Sequence, residues 1–262
     1  MTEEEWLACA EPQEMLAFLG DGGRAGEKQL RLFACACCRL VWPLLREESQ
    51  LAVQSAEWRA EGRIAANELA TAYATAERAC QSLPLRTWED QATADACEAV
   101  RYAASSGAAW PWAGDRAVAE MGHLVPGPGS PGVFPPEYDP IYAAHMAGTS
   151  VAKAAAYAGK AGRDFLAAKQ RECDLLRDIF GNPFRPVSVS PTCRTPHVVA
   201  LAQAAYEQRV LPAGHLDPAR LAVLADALEE AGCADAGLLG HLRSQGPHVR
   251  GCWALDMILG KG

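Results

Sequence analysis

The sequence is poor in what builds a sheet, spans a bilayer or grips nucleic acid. No alternating run of β-branched residues is longer than the one at Val187 and Val189, and aromatic residues supply only 7% of the chain, so a strand with a buried face has little to form from. No uninterrupted apolar run reaches the ~20 residues that a transmembrane helix needs, and no membrane association is expected. Acidic residues outnumber basic ones, 32 to 24, for a net charge of -8. Affinity for nucleic acid comes largely from Lys and Arg displacing counterions around phosphate, so a nucleic-acid partner is not expected either. Catalytic signatures are also missing. The glycines Gly20, Gly22, Gly23 and Gly26 lead to Lys28 without the following Ser or Thr of a phosphate-cradling loop. No nucleophile-elbow pattern surrounds a serine, and no local signature of a thiol hydrolase surrounds a cysteine.

What remains is a chain of 262 residues, half of them hydrophobic. A chain of this length buries roughly three quarters of its unfolded surface, so it needs neither disulfides nor a metal in order to fold. Met1 is followed at once by Thr2, Glu3, Glu4 and Glu5, unlike the basic and then apolar opening of a secretory leader. A cytoplasmic location is therefore expected, with the ten cysteines present mostly as reduced thiols.

The period throughout is helical, and the expected fold is all-α: an irregular multi-helix bundle with an Ala-rich helical middle and a compact C-terminal helical subdomain. Thr2 and Glu5 have the spacing of a capping box, opening a first helix that runs toward Leu19 before Asp21, Gly22 and Gly23 break it. In the segment 27–45, Leu30, Phe33, Cys37, Leu40, Val41 and Leu44 line one face, with Cys35, Cys38, Trp42 and Leu45 beside them. A helix apolar over most of its circumference belongs at the centre of a bundle, and Arg31, Arg39 and Arg46 are expected to reach outward by their charged tips. Residues 49–106 are Ala-rich and suit closely packed helical hairpins. Proline and glycine crowd 122–140 and deny it regular hydrogen bonding. Another helical stretch covers 141–180, with a kink expected near Gly159 and Gly162. Thr195-Pro196 and Asp217-Pro218 each pair an N-cap with proline at the first helical position. Gly232 suits a C-cap, Asp235 caps a helix to Arg243, and a last helix is expected over 249–259. The organisation read from this is an N-terminal bundle at 1–121, a Pro/Gly-rich loop or insertion at 122–140, and a C-terminal helical region at 141–262 packed on the first as one unit.

Four strings occur in order: LRLFACACCRLVW at 30–42, LLRDIFGNPFRP at 175–186, LADALEEAGC at 224–233 and HVRGCWALDMILGK at 248–261. Together they resemble an uncharacterised bacterial family that occurs as many paralogous copies within one genome. LADALEEAG also resembles a short repeat-companion domain whose members read like LADWLEERG, with Ala227 standing where that pattern has Trp. Neither resemblance implies catalytic residues.

Three clusters carry the candidate chemistry. Cys233, His241, His248 and Cys252 supply two thiolates and two imidazoles, the donor types of tetrahedral zinc, and a helix through 249–259 places His248 and Cys252 one turn apart on one side. Their spacing lacks the tight Cys-x-x-Cys knuckle of familiar zinc sites, and the alternative has the histidines capping helix ends while Cys233 and Cys252 fill the core. Around the FGNPFRP turn, Arg177, Asp178, Asn182 and Arg185 are positioned to present an interaction surface, or else Asp178 pairs with Arg185 while Phe180 and Phe184 staple the turn to the core. Cys35 and Cys38 have the spacing of a redox pair, but they sit mid-helix on apolar faces with Trp42 where a proton-carrying His would belong, and buried structural thiols are expected. The leading expectation is thus a non-catalytic helical module for an unidentified protein partner, without a cofactor. The alternatives are a zinc-binding protein using the C-terminal Cys/His set and a helical thiol redox protein.

Overall fold

The computed structural model describes residues 1–83, 86–105, 140–159 and 163–261. Among these the chain is all-α, with twelve helices, no strand and one isolated bridge between Val210 and His215. Apart from Pro140, the Pro/Gly-rich stretch 122–140 lies outside the described residues, as does Gly162.

Helix α1 (Glu3–Ala8) opens with the expected capping box: the Thr2 hydroxyl accepts from the Glu5 amide at 3.2 Å and the Glu5 carboxylate from the Thr2 amide at 2.6 Å. It does not run on toward Leu19. Proline at position 12 has no amide hydrogen and holds Glu11 in extended backbone (φ -116°, ψ 99°), so the chain restarts as α2 (Pro12–Asp21).

Helix α3 (Glu27–Leu40) is buried at every position from Leu30 to Arg39. It packs against α4 (Glu47–Ala60), α6 (Trp88–Ser105), α7 (Pro140–Gly159) and α8 (Arg163–Phe180), and so forms the centre of the bundle. The helix stops at Leu40 rather than near 45, because Pro43 turns the chain into the 3-10 segment Trp42–Leu44. Arg31 and Arg39 do not reach solvent. They are 4% and 6% exposed; Arg31 pairs with Glu27 at 2.5 Å and Arg39 with Glu57 of α4 at 2.6 Å. A helix enclosed on every side gives a long cation no path to water, so each charge is neutralised in place.

Helix α5 (Ala66–Gln81) packs on α4, and α6 lies along α7, where Ala96, Ala99, Ala103, Ala143, Ala147 and Ala154 are all buried. Small side chains let helix axes approach closely. The two helices that flank the 122–140 stretch therefore share one core.

The last third forms α9 (Pro196–Glu207), α10 (Pro218–Glu230), α11 (Ala236–Leu242) and α12 (Trp253–Leu259). Thr195, Asp217 and Asp235 cap the first three of these as their side chains accept from Val198, Ala219 and Leu238 amides at 3.2, 2.9 and 2.8 Å. The last helix begins at Trp253 rather than at 249. Gly251 adopts φ +91°, which a helix does not contain, so 248–252 is a turn closed by the Cys252 amide on the Val249 carbonyl at 3.0 Å.

Two hydrophobic clusters result. The first joins α1 to α8 around Trp6, Leu16, Phe33, Leu176 and Ile179; the second joins α9 to α12 around Tyr206, Leu224, Leu238, Leu255 and Ile258. A polar seam runs between them. Glu57 receives Arg39 from its own cluster and Arg209 from the other, Lys28 meets Asp256 at 2.7 Å, and Lys261 meets Glu61 at 3.2 Å.

Candidate metal centre

The seam also contains Asp178. This residue sits in the last turn of α8 and is 2% exposed, a costly position, since burial penalises a carboxylate and the C-terminal end of a helix already carries partial negative charge. Three groups meet it. Oδ2 accepts from the Val249 amide at 2.8 Å, while Oδ1 lies 3.0 Å from Nδ1 of His248 and 3.2 Å from Nε2 of His241. Burial alone would raise the Asp178 carboxyl, but the two imidazoles more than offset it and hold the group below the usual carboxylate range.

His248 is 2% exposed, and its far nitrogen, Nε2, is 3.2 Å from the Ser244 carbonyl and 3.1 Å from the Ser244 hydroxyl. The carbonyl only accepts whereas the hydroxyl can also donate, so Nε2 has a partner in either tautomer: protonated, it donates to the carbonyl, and unprotonated, it accepts from the hydroxyl while Nδ1 donates to Asp178. His241, in the last turn of α11, lies nearly perpendicular to His248, with ring centroids 4.8 Å apart. Its Nε2 is also 3.2 Å from the sulfur of Cys252, which is fully buried at the N-cap of α12. Burial and the Asp178 carboxylate push the Cys252 thiol well up, against the opposing pull of the Leu255 and Ala254 amides at the helix start.

One ligand atom from each of Asp178, His241, His248 and Cys252 lies within 4.8 Å of the others. Bonds of ~2.0–2.3 Å to a tetrahedral zinc ion set neighbouring donor atoms roughly 3.3–3.6 Å apart. The contacts at 3.0 and 3.2 Å approach that spacing, and loading would draw the widest pair in by about an ångström. The Ser244 carbonyl behind His248 is the outer partner that typically orients a metal-binding imidazole. The same geometry does not suit a cysteine nucleophile. A relay needs the thiol and the carboxylate on opposite nitrogens of the histidine, whereas Cys252 and Asp178 both address Nε2 of His241.

Of the four residues expected to bind zinc, His241, His248 and Cys252 come together and Cys233 does not. Cys233 follows α10, where its amide closes the helix on the Leu228 carbonyl at 2.9 Å and its side chain packs in the second hydrophobic cluster. Asp178 occupies the fourth position. A signal for it was present, because Asp178 follows Leu175 by three residues on an apolar helical face, where an unpaired carboxylate has no place. His248 and Cys252 converge through a glycine turn instead of a shared helix face.

The FGNPFRP turn is tied to the N-terminal helices, with Phe184 and Arg185 themselves exposed. Arg177 donates to the carbonyls of Trp6 and Cys9 at 3.0 and 2.6 Å, Asn182 donates to Glu3 at 2.7 Å, and Arg185 pairs with Glu3 at 2.5 Å, not with Asp178. Phe184 stacks on Phe18 at 5.3 Å, so the turn is stapled to the first two helices. Cys35 and Cys38 lie in the core with their thiols pushed up by burial, Cys35 to about 12. Thiols in that state are poor nucleophiles.

Comparison with protein-family models, with curated proteins and with solved structures finds no match for the chain. No helix among the described residues is long and apolar enough to cross a membrane.

Proposed function

We propose that this chain is a zinc-binding helical module in which Asp178, His241, His248 and Cys252 hold a structural ion that locks the C-terminal subdomain onto the bundle. One observation carries the reading: a carboxylate oxygen, two imidazole nitrogens and a thiol sulfur from Asp178, His241, His248 and Cys252 converge within 4.8 Å of one another, three of the four residues buried. Protons shared among the imidazoles and the thiol satisfy these contacts pair by pair, whereas one cation would satisfy all four donors at once.

The chemistry of the donors selects the metal. Thiolate and imidazole favour zinc over calcium or magnesium, and four protein ligands complete a tetrahedral shell with no open coordination position for substrate. The role is therefore structural: α8 of the first cluster supplies one ligand, and α11, α12 and the turn between them supply the others. Assignment to a cytoplasmic, non-catalytic, protein-binding role accords with the ten free cysteines and the acidic charge.

Cobalt substitution tests the site. Chain stripped of metal and reloaded with Co(II) is expected to show the intense visible bands of tetrahedral cobalt together with a near-ultraviolet thiolate charge-transfer band. Cys252→Ser should abolish the charge-transfer band, and Cys233→Ser should leave both features in place. A pale octahedral spectrum, or one indifferent to Cys252, would rule the site out.

A further inference from the structure

A second pair of cysteines is placed for chemistry that the zinc reading does not use. Cys80 lies in the last turn of α5 and Cys97 in the middle of α6, helices that pack side by side. Ser49 of α4 is fully buried, and its hydroxyl lies 3.7 Å from the Cys80 sulfur and 3.6 Å from the Cys97 sulfur. The exposures differ: Cys97 is 2% exposed, whereas Cys80 is only half-buried. Cys80 is thus the more exposed residue of the two. Arg46, largely exposed, donates to the Ala79 carbonyl at 3.3 Å and brings a positive charge beside the pair.

The proton balance differs from that of the core thiols. The Cys80 thiol, the Ser49 hydroxyl and the Arg46 charge hold the Cys97 thiol down to about 7, while contact with Cys97 and burial push the Cys80 thiol well up. The two sulfurs therefore share a single proton near neutrality, the condition in which a dithiol is reactive. Cys35 and Cys173, each pushed up to about 12 by burial, are not in that condition.

We propose that Cys80 and Cys97 are a redox-modification site that closes a reversible disulfide between α5 and α6 on exposure to a hydroperoxide. The pair's one proton stays on Cys80 and leaves Cys97 as the thiolate. That thiolate attacks one oxygen of hydrogen peroxide, the O–O bond breaks, and Cys97 becomes a sulfenic acid with release of hydroxide. The Cys80 sulfur then attacks the Cys97 sulfur, the S–O bond breaks, and the hydroxyl leaves with the Cys80 proton as water. Two thiol sulfurs are oxidised and one peroxide is reduced. An external dithiol reverses the bond by exchange.

The test is peptide mapping of the intact chain, treated with a few equivalents of hydrogen peroxide, alkylated without reduction and digested. The expected product is a Cys80–Cys97 cross-linked peptide, lighter than its two thiol peptides by a pair of hydrogens and lost again after dithiothreitol. Cys80→Ser should instead leave Cys97 as a sulfenic acid trapped by dimedone, with helicity by circular dichroism confirming that the variant is folded. Mapping of the unmodified sequence needs no variant, so misfolding of Cys80→Ser leaves the test intact. Recovery of both cysteines as alkylated thiols after peroxide, or of Cys97 as sulfinic acid with no cross-link, would overturn the proposal. The readout is specific to these peptides, so oxidation at Cys252 cannot mimic it.

Discussion

Oδ1 of Asp178 at the end of α8 and Nδ1 of His248 in the turn before α12 stand 3.0 Å apart, joining two hydrophobic clusters through one buried contact. With its second oxygen Asp178 also accepts the Val249 amide at 2.8 Å, so the carboxylate anchors the ring and the backbone of the same turn. Asp178→Ala should therefore cost roughly 3–5 kcal/mol of folding stability, the range for removing one partner of a buried charged pair. Urea unfolding with and without added zinc checks this: the stabilisation that zinc gives the parent chain should be missing in the variant.

The cysteines of the last third should separate cleanly. Cys252→Ala is expected to lose zinc, whereas Cys233→Ala should keep it and lose only what a small buried side chain contributes, about 1 kcal/mol. Equilibrium competition with a chromophoric chelator distinguishes the two; equal zinc affinity in both variants would return Cys233 to the site.

Glu57 is the hub of the other seam. Its carboxylate takes Arg39 at 2.6 and 3.0 Å and Arg209 at 3.0 and 2.9 Å, and those guanidinium groups hold it below the ordinary carboxylate range despite burial. Glu57→Gln leaves buried arginines without a counter-charge and should cost at least ~3 kcal/mol. Because Arg209 belongs to the second cluster, hydrogen exchange should rise at the amides of α9 as well as of α4.

Glu172 should make stability fall as pH rises. It is 1% exposed, its Oε1 has no hydrogen-bond partner, and burial pushes the carboxyl from 4.5 up to about 8, with Lys169 pulling it back only in part. The value is raised on folding, so the stabilisation is complete below about 4.5 and is lost as pH climbs through about 8. Glu172→Gln removes the ionisation: compared with the parent chain it should be near neutral at pH 4 and more stable by up to ~5 kcal/mol at pH 9. Chemical unfolding across that range reads the difference; parallel curves for the two proteins would show that Glu172 ionises freely.

Much of the architecture was legible from residue order alone. Helical periodicity, the Thr2–Glu5 box and the Thr195, Asp217 and Asp235 caps are local signals, and the helices they mark are present. Boundaries failed where a proline or a glycine conformation cut a periodic pattern, at Pro12, Pro43 and Gly251. The fate of Arg31 and Arg39 was not legible, because periodicity reports which face is apolar and not whether neighbours enclose the other face as well. The cluster was half legible. Donor chemistry pointed to His241, His248 and Cys252, which lie within twelve residues of one another in sequence, but Asp178 is 70 residues from His248 and only the packing of α8 against the last turn brings them together. Cys233 has suitable chemistry and the wrong position, which no spacing rule reveals.

The most direct measurement is the metal content of tag-free protein purified without chelator, set beside that of an Asp178→Ala, His248→Ala double variant. One zinc per chain in the parent and none in the variant is the predicted result. A folded parent chain that carries no zinc and takes up none on addition would contradict the account.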